Sequence, residues 1–258
     1  MIGPVHRMTE SPLFSYTLRL ADNALVLGHR LSEWCGHAPV LEEDLALANM
    51  ALDLIGQARS FYSYAGAVEG RGRDEDALAY LRDTREFRNV LLVEQPNGDF
   101  ALTIVRQLFY AAFARPYFER LALSADATLA AIAAKAEKEM AYHLRHAAEW
   151  TIRLGDGTDE SHNRAQEAIE ELLPYTGELF ESDQVERSLI DAGVAPDSAS
   201  LQPLWNNAIQ EVLTEATLTR PRDSFMQTGG RSGKHSEHLG HLLAELQFLQ
   251  RAYPGAKW

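Results

Sequence analysis
The sequence predicts an all-α protein: a four-helix bundle with one crossover connection and additional C-terminal helices. Three observations predict it. Apolar residues recur at three- and four-residue intervals through the long segments, as amphipathic helices require, and few stretches alternate with the period of two that marks a half-buried strand. Four of these segments run for roughly 17 to 30 residues each. Short links join the first to the second and the third to the fourth, whereas a longer polar stretch separates the second from the third, which is the connectivity of a bundle with one crossover.

The first helix is expected from about Leu18 to Trp34, ending at "CGHAP", where Gly36 suits the left-handed position after a helix and Pro39 blocks continuation. The second is expected from the acidic residues at 42–44, whose charge suits the positive end of the helix dipole, through "LALANMALDLIGQARSFYSYAG". The stretch "VEGRGRDEDA" reads as a loop, followed by short helical pieces up to the turn "EQPNGD". Asp99 is the expected N-cap of the third helix, "FALTIVRQLFYAAFARPYFERL", which Pro116 should bend. The fourth follows Ser124 and ends near Leu154, before "GDG". The core bundle thus occupies about 17–155. Shorter helices are expected over about 160–253, the last being "LGHLLAELQFLQRAY" with Leu239, Leu242, Leu243, Leu246 and Leu249 on its apolar side. No internal repeat or linker composition divides the chain, so residues 1–258 read as one domain.

Composition narrows the function. At 258 residues and 46% hydrophobic content the chain can fill one sizeable core. Its 37 acidic and 24 basic residues give a formal charge of -13, which disfavours nucleic acid and anionic membrane surfaces as partners, while leaving room for a local basic patch. The single cysteine, Cys35, excludes an intramolecular disulfide, a four-thiolate zinc site and an iron–sulfur cluster held by this chain alone. The N-terminal "MIGPVHRMTESPLFSY" lacks the pattern of a secretory leader, and no apolar run reaches the roughly 20 residues of a membrane span, so a cytoplasmic location is expected.

Within the fourth helix, "AEKEMAYHLRHAAEW" places Glu139, His143 and His146 on neighbouring turns. Ile132, Ala136, Met140, His143, Ala147 and Leu154 form the stripe expected to face the interior, with Glu139 at its edge. Di-iron bundles use Glu-x-x-His, in which a carboxylate and an imidazole three residues apart meet one metal cluster. Here Met140 stands three residues before His143, and a thioether neither bridges two irons nor offsets their charge. On the second helix the inward acid is expected to be Asp53, and Gly56 occupies the position three residues on, where a ligating histidine would stand. Glu33 and Glu119 are the acids offered by the first and third helices. His143 therefore reads either as an interhelical hydrogen-bonding histidine or as a metal ligand. Asp53, if it holds no metal, needs a partner such as Arg30, Gln57, Arg106 or Lys138.

The glycine-rich "GGRSGKHSEH" departs from a phosphate-binding loop, since Thr228 replaces the first required glycine and His235 follows the lysine. Ser236 is expected to cap the last helix, with His235, His238 and His241 solvated around its first turns and Arg231 and Lys234 available to an acidic partner.

Three stretches, "LGHRLSEWCGHAPVLEEDLALANMALDLIGQAR", "KEMAYHLRHAAEWTIRLGDGTDESHNR" and "GGRSGKHSEHLGHLLAELQFLQRAYPGA", together resemble the C subunits of the bacterial phenylacetyl-CoA epoxidases, also called phenylacetate-CoA oxygenases. The likeness runs from about residue 17 to the C-terminus. It implies a ferritin-like bundle and a division of labour. A catalytic A subunit holds the di-iron centre that epoxidises the ring, and the C subunit pairs with it and has lost a working metal site. A B subunit joins such pairs, and a flavin and iron–sulfur reductase delivers electrons from NADPH transiently. The resemblance assigns no catalytic residue, cofactor or metal to this chain. Glu33, Asp53, Glu119 and His143 then stand as candidates for a vestigial site. The other readings are an active di-metal oxygenase built on those four residues, and a ferritin-like binding module. A subunit kept for its packing surface is expected to self-associate when alone.

Overall fold
A computed structural model of the protein describes residues 11–222 and 225–256, and helices are the regular elements among them, with no strand. Most of the N-terminal stretch read for a leader falls on residues 1–10, outside the described residues. The first helix, α1 (Pro12–Ser32), starts earlier than expected. The Ser11 side-chain oxygen accepts the Phe14 N–H, and Pro12 opens the helix where its missing donor costs nothing. Gly36 takes the left-handed conformation beyond its end (φ +80°). Helix α2 (Leu41–Glu69) carries Glu42, Glu43 and Asp44 in its first turn and ends at left-handed Gly70. The crossover contains α3 (Glu75–Tyr80), a 3-10 turn at Thr84–Glu86 and α4 (Leu91–Glu94). Helix α5 (Phe100–Leu121) is capped by the Asp99 carboxylate and runs through Pro116 without interruption; α6 (Ala127–Gly155) is capped by Asp126.

Side-chain pairs give the bundle its topology. Tyr62 donates to Asp22 between α1 and α2, and Gly28 lies against Leu54, so these helices run antiparallel. Arg115 meets Glu137 and Phe100 packs on Trp150, which makes α5 and α6 antiparallel as well. Across the two pairs, Asp53 and Gln57 of α2 meet His143 and Glu139 of α6, while Tyr16 of α1 and Trp34 just beyond its end meet Tyr117 and Thr103 of α5. Helices α2 and α5 consequently point the same way, which the crossover at 70–99 allows. The fold is all-α and ferritin-like.

The core between these helices includes Leu27, Leu31, Met50, Phe61, Phe109 and Met140, all fully buried. On α6 the buried stripe is Leu129, Ala133, Ala136, Met140, His143, Ala147 and Thr151. Ile132 and Leu154, expected inside, are half-buried, because the face that meets both α5 and α2 is rotated slightly from the one read by periodicity. The later helices clad the bundle. Helix α7 (Asp159–Leu172) lies on α5 and α6, α8 (Gln184–Asp191) on α1, and α9 (Gln202–Glu215) on α5 and α6, with Trp205 buried against Phe109 and Phe180. The last expected helix is two, α10 (Glu237–Leu246) and α11 (Phe248–Ala252). They part at Gln247, whose buried amide donates to the carbonyls of Ala79 and Arg82. Leu249 consequently falls on an exposed side, not in the apolar seam.

Candidate functional site
Around His143 a hydrogen-bonded chain runs across three helices. His143 of α6 is fully buried. The Gln107 amide on α5 donates to its Nδ1 at 3.0 Å, which leaves the ring proton on Nε2, 3.2 Å from Asp53 Oδ2 on α2. Asp53 is half-buried, so the chain begins at the α2–α6 groove and ends in the core. None of the four partners expected for Asp53 takes that place. Gln57 donates instead to Glu139 at 2.8 Å, and Lys135 pairs with the same carboxylate at 3.0 Å. Arg30 holds the Glu94 carbonyl and Glu33, and buried Arg106 donates to the carbonyls of Gln95 and Pro96 and to Asn97. Lys138 is exposed. Burial, and after it the charge of Arg30, pull the Arg106 pKa down to about 9.

The other two candidate acids stand apart from this chain. Glu33 caps the end of α1, where it pairs with Arg30 and accepts from Asn97. Glu119 is exposed on α5, twelve residues beyond Gln107 and so about 18 Å further along the helix. His146 points to a different partner again, Glu43 of α2, at 2.8 Å.

Four candidate residues thus yield one acid–imidazole pair. Among the described residues, no group of three or more histidine, cysteine, aspartate or glutamate side chains is placed to hold a metal ion. A di-iron centre calls for several bridging and terminal carboxylates with two imidazoles, and Met140 and Gly56 occupy two of the positions that would supply them. The residues present do not fit that group.

Residues 4–258 match the family of phenylacetic acid catabolic proteins. The chain belongs to that family. It is 54% identical over 246 residues to the C subunit of the 1,2-phenylacetyl-CoA epoxidase of Escherichia coli strain K12, an alignment covering 95% of this chain and 99% of that protein.

In this member of the phenylacetic acid catabolic family, the glycine-rich segment has a structural role that its motif did not announce. Buried Glu178 accepts the backbone N–H groups of Gly229 (3.2 Å) and Arg231 (3.0 Å) on one carboxylate oxygen and that of Leu91 (2.9 Å) on the other, so the turn binds an anion that belongs to its own chain. The acidic partner of Arg231 is also internal, Glu186 at 2.9 Å. His235, expected in solvent, is sealed from it. Its Nδ1 lies 2.7 Å from Glu94 Oε2 and its Nε2 3.0 Å from the Phe87 carbonyl, while Glu94 Oε1 accepts the Ser236 N–H. Ser236 does stand at the N-cap of α10, but that carboxylate, not its own hydroxyl, serves the helix start. His238 is half-buried and His241 exposed. Sequence reasoning missed Gln107, Glu94 and Glu178, since buried polar partners 36 to 141 residues away leave no local spacing to read.

Proposed function
We propose that this chain is a non-catalytic structural subunit of a phenylacetyl-CoA epoxidase, in the aerobic breakdown of phenylacetate in the cytoplasm, and that it pairs with a di-iron catalytic subunit. One observation carries the reading: both ring nitrogens of buried His143 are taken, by the Gln107 amide and by Asp53, beside a methionine where a bridging carboxylate would stand. This hydrogen-bonded chain ties α2, α6 and α5 in fixed register, as metal ligation would, without an ion. The likeness to the C subunit of a 1,2-phenylacetyl-CoA epoxidase supports the substrate class and the place in a multi-subunit assembly.

In this reading the di-iron centre and the oxygen chemistry belong to the partner. A B subunit joins the pairs and a reductase docks transiently. The residues of this chain act mechanically: a bundle that does not flex gives the partner's metal-bearing helices a rigid surface to pack on and keeps water from their apolar sides. The test is epoxidation by a complex reconstituted with Asp53→Asn. Asp53 is half-exposed and its replacement nearly isosteric, so the fold should survive. Turnover is expected to stay within about twofold of the native complex. A fall of about 100-fold or more, the scale of a lost metal or metal-orienting group, would overturn the reading.

A further inference from the structure
Helix α2 has two seams. One faces the core through Leu47, Met50, Leu54, Ala58 and Phe61. The other, on its outer side, consists of Leu41, Leu45, Ala48, Leu52 and Ile55, and it ends at Arg59. The steps along it are four, three, four, three and four, the spacing of a coiled-coil seam. Its large side chains stand in solvent: Leu41 is 71% exposed, Leu45 58%, Leu52 66% and Ile55 39%. Single exposed leucines are ordinary surface, but four large apolar side chains at seam spacing on one helix mark an interaction site.

We propose that this outer seam is where a second copy of the chain docks, with the two α2 helices antiparallel about a two-fold axis. The pattern is complementary to itself in that orientation. With Ala48 set against Leu52 of the other copy, small meets large in both symmetry-related places, Leu45 meets Ile55, and Leu41 lies on the aliphatic stem of Arg59. Beside Ile55 a groove of about 320 Å³, lined by Leu25, Tyr62, Ala79 and Tyr80 among others, receives the incoming leucine. The charges agree. Exposed Glu42 at one end of the seam comes beside Arg59 and Lys135 at the other end, and both of those cations are more than two-thirds exposed, although each already meets an acid of its own chain. A parallel pairing would instead stack Glu42 on Glu42 and Arg59 on Arg59.

The proposal concerns the chain by itself and stands apart from its role in an epoxidase. Sedimentation of the full chain over a range of concentrations tests it. A dimer is expected for the native chain and a monomer for Leu52→Glu, with unchanged helical circular dichroism. Glu42→Arg and Arg59→Glu should each weaken the dimer about tenfold, and the double variant should recover most of the loss, because each swapped charge then faces its opposite across the axis. A native chain that stays monomeric up to about 100 µM, a Leu52→Glu chain that still dimerises, or a double variant no tighter than the singles would overturn it.

Discussion

At Glu94 and His235 two titratable side chains are closed off from solvent together. Both ring nitrogens of His235 face acceptors, a carboxylate and a carbonyl, and only the doubly protonated ring satisfies both. Burial opposes that charge, but the hydrogen bond and charge of Glu94, with the Phe87 carbonyl and the more distant Asp22, outweigh it and hold the His235 pKa above its ordinary 6.5. A raised folded-state pKa stabilises fully below about pH 6.5 and ceases to do so as pH rises through the folded value. Urea unfolding across pH should therefore show stability falling as pH rises above about 6.5. His235→Ala should remove that slope and cost about 3 to 5 kcal/mol, since it strands a buried carboxylate. A slope unchanged in the variant would assign it to another group. At this scale the sequence was only partly readable. His143 could be placed inside by periodicity, and Met140 and Gly56 by their offset from it and from Asp53. The residues that complete each polar chain come from other helices, and the counter-charges and hydrogen-bond donors expected for Asp53 all lie elsewhere.

Among the elements, the long helices were legible because each carries its own start and stop chemistry. Asp99 caps α5 as read, and Gly36 closes the end of α1. The first boundary was misplaced because "SP" before an apolar run is a helix start as strong as any, and here Ser11 and Pro12 both act. The break between α10 and α11 was not legible at all, since Gln247 turns away to satisfy carbonyls in the crossover. Packing between elements sets a further prediction. A Cβ added at Gly155, where α6 ends, would sit 2.2 Å from the Ala216 carbonyl oxygen and 2.9 Å from its Cβ. Helix propensity favours alanine there by about 1 kcal/mol, but the clash is with backbone and cannot be relieved by a rotamer. Gly155→Ala should lower stability by about 2 kcal/mol and the melting temperature by roughly 4 to 8 °C. A neutral or stabilising result would show that α9 can move away freely.

For the molecule as a whole, the acidic balance, the single cysteine and the lack, among the described residues, of any helix long and apolar enough to cross a membrane set the boundaries, and the family match supplies the context. The all-α class was readable from four long amphipathic segments and their unequal links, and its ferritin-like character from the resemblance to the epoxidase C subunits. The two positions at which the residues depart from a di-iron motif, Met140 and Gly56, were also visible. The third member of the His143 chain was not, because nothing near Gln107 in the sequence marks it as a partner of a residue 36 positions away. The proposal that this chain holds no metal is tested most directly by the iron content of this chain, separated from an epoxidase complex that has been reconstituted with ferrous iron. Iron at background level in this chain, with the metal following its partner, is the predicted result; about two iron atoms per copy of this chain would contradict it.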